Sequence, residues 1–148
     1  MSETDRPFEA YVYALREQTE QHIAGLDELS DLNDQRPLSF NERIAVERGL
    51  QVLVEMAVGC SKHVLKAHHH PVPSEARASI ERVYELLGII DPPAEVLRGA
   101  VGMRNAIIHD YLNLDWGLVE QILRSRKYRL LPRYLDAVTS ALLSANIR

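Results

Sequence analysis

SFNERIAVERGLQVLVEMAVGCSKHVLKA, residues 39–67, carries apolar side chains at alternating spacings of four and three residues. The residues in this register are Val46, Leu50, Leu53, Ala57, Cys60, Val64 and Ala67, and Val54, Val58 and Leu65 form a second stripe beside them. A helix that is apolar over so wide an arc packs against neighbours on several sides, so this segment predicts a central helix. Ser39 and Glu42 have the spacing of a capping box and place its beginning. Cys60 lies within the apolar stripe and is interpreted as a buried small hydrophobe rather than a nucleophile.

Helical periodicity continues on both sides of this segment, and no stretch alternates as a strand would. On the first helix, one face carries Phe8, Val12, Leu15, His22, Leu26 and Leu29. The first helix is predicted to end before the polar connection Asp31–Pro37, and the third to run from about Ser74 to Leu87 with Gly88 as its stop. A fourth helix has Asp91 as its N-cap, a short fifth is capped by Asp115, and a last one follows Pro132. The sequence therefore predicts an all-α fold, a five- to six-helix antiparallel bundle that forms a single domain over residues 1–148.

Composition excludes several classes of protein. The chain has 148 residues, 46% of them hydrophobic and 26% charged, which is ordinary for a folded domain. A single cysteine cannot form an intramolecular disulfide. No uncharged apolar run is long enough for a membrane span, and the acidic first residues do not resemble an export signal. We therefore expect a cytoplasmic protein without a membrane partner.

Two conspicuous clusters are given structural interpretations. His68-His69-His70 lies before Pro71, where consecutive side chains point in different directions, so an exposed loop is favoured over a metal site. The formal net charge of −4 argues against a surface coated with phosphate-binding residues but does not exclude a local basic patch. Taken alone, the basic run Arg124–Arg133 is interpreted as a solvated helix end and turn ahead of an RNA-contacting patch.

The segment RNAIIHDY, residues 104–111, does not fit a packing explanation, because polar groups cluster where an apolar helix is ending. Its candidate functional residues are Arg104, Asn105, His109, Asp110 and Tyr111. Gly99 and Gly102 lie just upstream and each costs the helix about 1 kcal/mol relative to Ala, which implies the close approach of a neighbouring helix or a ligand.

Spacing limits how Arg104 and His109 can meet. Residues five apart lie about 140° apart around a helix, whereas Asn105 and His109 share a face. Three arrangements remain open. The long Arg104 side chain extends round the helix toward His109, or the helix loosens near Ile108, or a second copy packs about a two-fold axis and brings one chain's Arg104 to the other's His109.

The chemistry of this pair suits a phosphodiester. A guanidinium group matches phosphate oxygens, and imidazoles exchange protons near neutral pH. Cleavage of RNA by its own 2′-OH needs both a base and an acid, and a dimer would supply the second histidine. No carboxylate cluster for a divalent metal accompanies the segment, so metal-independent chemistry without a cofactor is expected. A helix end capped by an Arg104–Asp110 ion pair is at least as probable from these residues alone.

The motif Arg104-x4-His109-x-Tyr111 resembles the HEPN signature in the form typical of HepT-type toxins. The similarity extends over residues 101–111, continues to Leu114-Asp115, and includes the second helix from Glu42 to Glu55. The resemblance implies a HEPN-like bundle that dimerises through its motif helices, and a metal-independent RNA endonuclease with Arg104 and His109 as catalytic residues. It also implies an MntA-type nucleotidyltransferase antitoxin that transfers AMP to Tyr111, and it gives no role to DNA.

Three functional hypotheses follow. In the leading one, the chain is a HepT-like toxin in which Asn105 and Asp110 orient Arg104 and His109, with Arg48 or Glu55 within reach of the site. In the alternative, it is a non-catalytic helical subunit that binds a nucleotide or substrate for a nucleotidyltransferase. In the third, it is a structural homodimer with Arg104 and Asp110 as a helix cap.

Overall fold

A computed structural model describes residues 8–145, and within that range the chain forms six α-helices and no strand. The helices are α1 (Glu9–Gln35), α2 (Phe40–Ala67), α3 (Ala76–Leu87), α4 (Ala94–His109), α5 (Trp116–Ser125) and α6 (Leu131–Ser144), with short 3₁₀ turns at Tyr111–Asn113 and Lys127–Leu130. The prediction of an all-α bundle is confirmed, with six helices rather than five. None of the helices in the described range is both long and apolar enough to cross a membrane.

The central position predicted for the second helix is confirmed. α2 contacts α1, α3, α4 and α6, and its predicted stripe forms the middle of the core. Leu53, Ala57 and Cys60 are completely buried. Burial also raises the pKa of the Cys60 thiol to about 12, as expected of a small hydrophobe rather than a nucleophile.

Local signals place several boundaries correctly. The Ser39 hydroxyl accepts a hydrogen bond from the Glu42 N–H at 3.2 Å, and the Glu42 carboxylate accepts one from the Ser39 N–H at 2.8 Å, so the capping box is formed. Gly88 ends α3 in the left-handed conformation, with φ of 64°. Asp115 caps α5 by accepting from the Gly117 N–H at 2.8 Å.

Other boundaries were predicted wrongly. α1 continues through the supposed connection to Gln35, because Asn33 is buried and Leu32 packs against the core, so the inward-facing pattern persists. α6 begins two residues earlier than expected, at Leu131, and Pro132 lies inside its first turn, where its missing N–H leaves no helical hydrogen bond unmade.

The beginnings of α3 and α4 also differ from the prediction. α3 begins at Ala76 after Glu75, which makes no side-chain cap, rather than at Ser74. The N-cap of α4 is Pro93 rather than Asp91. The Asp91 carboxylate instead faces Arg133 at 3.4 Å, so a contact with α6 takes the place of the local cap.

Candidate functional site

The candidate residues lie where α4 ends. Arg104 and Asn105 are on its last turns and His109 is its final residue, while Asp110 has left the helical conformation with φ of −141°. The helix remains regular through Ile108, so the possibility that it loosens there is wrong. Tyr111 opens the 3₁₀ turn that follows.

Arg104 is held from two directions. Its Nε donates to the Glu55 carboxylate of α2, and its Nη1 donates to the Asn105 side-chain oxygen at 2.7 Å. The Arg104 side chain is only 18% exposed, whereas that of Glu55 is 43% exposed. These contacts leave Nη2 without a hydrogen bond to any residue between 8 and 145, so the guanidinium group is oriented and still has donors to offer.

His109 is exposed and makes no hydrogen bond or ion pair with the part of the chain that the structure describes. Arg104 contacts Asn105, and Asn105 lies one turn before His109 on the same face, so the amide draws the guanidinium group toward the histidine side of α4. Within one chain, however, the structure brings Arg104 to Glu55 and Asn105 and records no contact between Arg104 and His109.

Asp110 does not pair with Arg104 in this chain. Its carboxylate accepts a hydrogen bond from the Asn113 amide at 2.8 Å and so holds the 3₁₀ turn. The hypothesis of an Arg104–Asp110 ion pair as a helix cap is therefore wrong for this chain, because the guanidinium group prefers the Glu55 carboxylate across the helix interface.

Tyr111 is tied to the core by a carboxylate that the sequence analysis did not select. Its hydroxyl donates to Glu47 Oε1 at 2.9 Å, although the tyrosine remains 47% exposed. This hydrogen bond is the main reason that the pKa of Tyr111 is raised, followed by burial of the hydroxyl. Glu47 is only 8% exposed, and a glutamate between the apolar positions of a central helix was the signal that could have found it.

Of the two residues that were expected to reach the site from the second helix, only Glu55 does so. Arg48 is exposed and forms no ion pair or hydrogen bond with residues 8–145.

The two glycines of α4 face open space. A Cβ atom at Gly99 or at Gly102 would meet nothing within 4 Å. No neighbouring helix of the described chain therefore explains them, although Gly49 of α2 does lie against Leu26 of α1, where a Cβ would come within 3.1 Å of the leucine.

The histidine cluster does not contribute to this site, and the basic run approaches it only through Lys127 and Tyr128, which line a cavity with Arg104. No group of His, Cys, Asp or Glu residues within the described range could hold a metal ion, and His68 bonds through Nδ1 to the Val64 carbonyl at 2.9 Å. In the basic run, Arg126 and Arg129 pair with acidic residues of α1, so much of its charge is neutralised.

A family profile described as "Ribonuclease HepT-like" matches residues 19–138, which include the whole of this site. The chain belongs to the HepT-like ribonuclease family. The HepT-like bundle also resembles solved toxin–antitoxin structures. No curated protein matches the chain.

Three solved structures are similar to this HepT-like chain. One is a tri-AMPylated Shewanella oneidensis HEPN toxin in complex with MNT antitoxin, with a TM-score of 0.76 at 19% identity, covering 87% of this chain and 96% of that one. A toxin–antitoxin with AMP-PNP gives a TM-score of 0.75 at 18% identity over 86% and 96% of the two chains. A tyrosine-to-alanine variant of the toxin–antitoxin MntA–HpeT gives 0.75 at 17% identity over 87% and 98%. At these identities the likeness establishes the shared all-α fold.

Proposed function

We propose that this HepT-like chain is a metal-independent RNA endonuclease that acts as the toxin of a toxin–antitoxin pair. The observation that carries the proposal is the end of α4, where Arg104 is fixed by Glu55 and Asn105 while His109 is exposed and unbonded within residues 8–145. A fixed cation and an exposed, unbonded imidazole are the two kinds of group that phosphodiester cleavage needs.

The proposed reaction is an internal transfer. The 2′-oxygen of RNA attacks the neighbouring phosphorus while its proton passes to one imidazole. The bond from phosphorus to the 5′ oxygen then breaks, and a second imidazole gives that oxygen a proton. Arg104 stabilises the negative charge that develops on the phosphorane oxygens. No step needs a metal ion, and the carboxylates that contact the motif are already engaged, Glu55 by Arg104, Glu47 by Tyr111 and Asp110 by Asn113.

Two imidazoles imply two chains. A two-fold dimer through the exposed side of α4 would bring the second His109, and Gly102 would allow the two helices to approach closely because its Cβ position is open. Mixing the parent chain with an equal amount of His109→Ala and letting the chains exchange tests this arrangement. If each site needs both His109 imidazoles, only the parent homodimers work and activity per chain falls to about a quarter; if each chain works by itself, activity per chain falls to about half.

Site variants test the chemistry. Arg104→Ala should lower kcat by about 10²–10³-fold through loss of transition-state charge stabilisation. His109→Ala should lower it by about 10²–10⁴-fold through loss of proton transfer. The matched controls are Arg124→Ala, an exposed arginine of α5, and His70→Ala in the exposed turn after α2. Cleavage of a labelled RNA pool with EDTA present is the assay, and equal activity of the Arg104 variant and the Arg124 control would contradict the proposal.

We further propose that a partner nucleotidyltransferase neutralises the chain by transferring AMP from ATP to Tyr111. The phenolic oxygen attacks the α-phosphorus, pyrophosphate leaves, and the proton passes to Glu47, whose Oε1 lies 2.9 Å from the hydroxyl. The similar HEPN toxin from Shewanella oneidensis is described as tri-AMPylated, which supports this chemistry for the fold. An anion attached two residues from His109 would compete with RNA for Arg104.

Mass spectrometry after incubation with the transferase and ATP tests this step. Tyr111→Phe should remain unmodified, whereas Tyr13→Phe, which removes a more exposed tyrosine of α1, should still gain AMP. Expression of the unmodified chain alone separates toxin from binding subunit. A chain that neither cleaves RNA nor slows growth, but binds nucleotides in a manner that needs Arg104, would support the alternative of a non-catalytic subunit.

A further inference from the structure

A cavity of about 160 Å³ lies beside Arg104, between α2, α4 and the chain from α5 to the start of α6. Its apolar walls include Leu50, Val54, Val96, Met103, Ile122 and Leu131. The charged residues that line it are Glu95, Arg104 and Lys127. The cavity thus joins an apolar interior to one member of the proposed catalytic pair.

We propose that this cavity is a subsite for one base of the RNA substrate, and that it selects a base carrying an exocyclic amine. The inference rests on the proposed ribonuclease function and assigns to it a base preference. Apolar walls with a few converging polar groups are the usual construction of a small-ligand site.

The cavity is large enough to admit the six-membered ring that carries the exocyclic amine in both cytosine and adenine. An apolar protein cavity of about 150 Å³ is large enough to bind benzene, and this one is similar in volume. Gly99 lines the cavity, and a Cβ there would meet nothing within 4 Å. The absence of a side chain at this position therefore keeps that part of the cavity open. A ligand ring therefore accounts for one of the two exposed glycines of α4.

The charged residues distinguish among the bases. Glu95 is exposed and its one ion pair with the described residues, to Arg98, is long at 3.5 Å, so its carboxylate retains lone pairs that can accept from the amine of cytosine or adenine. Uracil presents a carbonyl oxygen instead, which a carboxylate repels. Lys127 forms no ion pair with residues 8–145, and together with Arg104 it provides positive charge for the phosphates on either side of the base.

The test measures binding of oligo(C), oligo(A) and oligo(U) ribonucleotides by fluorescence anisotropy, with His109→Ala as the background so that RNA stays intact. We expect the two amine-bearing oligomers to bind at least about fivefold more tightly than oligo(U). Adding Gly99→Leu should fill the cavity and remove this difference. Adding Glu95→Gln should also reduce it, because the amide no longer repels the uracil carbonyl and oligo(U) binding becomes stronger relative to oligo(C) and oligo(A). Gly25→Leu is the matched control, because it adds the same bulk at an open glycine position of α1 that lies outside the cavity and away from α4.

The outcomes separate this proposal from the function on which it rests. Equal affinity for all three oligomers, no binding, or a Gly99→Leu variant that keeps the preference would overturn the base subsite even if the parent chain cleaves RNA. A base preference lost in Gly99→Leu, together with a parent chain that never cleaves RNA, would support the subsite and contradict the nuclease. If Gly99→Leu changes only the oligomeric state in light scattering, a second chain covers the cavity and the proposal is wrong.

Discussion

Replacing Gly102 by alanine should stabilise the isolated chain. The added Cβ would meet nothing within 4 Å, and the residue lies in the interior of α4 with ordinary helical geometry. The substitution therefore has only its helix-propensity effect, a gain of about 1 kcal/mol in the free energy of unfolding. For a chain of this length that gain corresponds to a rise in Tm of about 2–4 °C.

Gly49→Ala is the matched control with the opposite expectation. A Cβ there would lie 3.1 Å from Leu26 Cδ2 and 3.3 Å from its Cγ. Leu26 is 1% exposed and cannot move aside, so an overpacking penalty of about 1–3 kcal/mol opposes the same propensity gain. The net effect should lie between about zero and 2 kcal/mol of destabilisation.

Urea unfolding followed by circular dichroism measures both variants, with an unchanged m-value as the condition for comparing them. At concentrations low enough for a monomer, Gly102→Ala should unfold at higher urea than the parent and Gly49→Ala at equal or lower urea. A shrinking gain for Gly102→Ala as concentration rises would reveal a second chain on that side of α4. The reasoning is refuted if Gly102→Ala lowers stability at every concentration, because the position would then not be open in the folded chain.

Three other expectations concern titratable groups. Glu47→Gln should lower the pKa of Tyr111 toward that of an ordinary tyrosine, because the Glu47 hydrogen bond is the main cause of its rise; an ultraviolet titration that does not change would contradict this. Cys60 should resist thiol reagents at pH 8 in the folded chain, because burial raises its pKa to about 12, and rapid labelling without denaturant would disprove its burial. The hydrogen bond from Arg129 is the main cause of the lowered pKa of Asp27. This pair should therefore stabilise the fold at pH values above the pKa of Asp27 in the unfolded chain, and the stabilisation should be lost as pH falls through its pKa in the folded chain. Arg129→Ala should make the Tm measured in thermal melts less dependent on acid pH.

The sequence specifies the local features of this fold well. The spacing of apolar residues identified α2 as central, and the capping box of Ser39 and Glu42 placed its first turn. Both signals could be recognised because each is formed by residues that are near one another in the sequence. Boundaries that depend on tertiary contacts were harder. The end of α1 could not be read locally, since the buried position of Asn33 depends on how the other helices pack.

The candidate site shows the same division between local and distant information. Arg104, Asn105 and His109 form a pattern within six residues and were found from the sequence. The sequence did not identify Glu47, because it is 64 residues from Tyr111 along the chain and the contact exists only once α2 packs against the end of α4. For Glu55, separated by 49 residues from Arg104, the sequence could indicate reach but not the ion pair.

These contacts make α2 the support of the site as well as the centre of the core. Glu47 and Glu55 are eight residues apart, about 12 Å along the helix axis, and they hold the two ends of the motif, Tyr111 and Arg104. His109 lies between those ends in the chain and has no such partner within residues 8–145. If the chain is the ribonuclease proposed above, its proton transfer needs a positioned imidazole, and we propose that a bound RNA or a second chain supplies the group that positions His109. Within the described residues, the chain holds one cation and one hydroxyl in place and leaves the imidazole unpartnered.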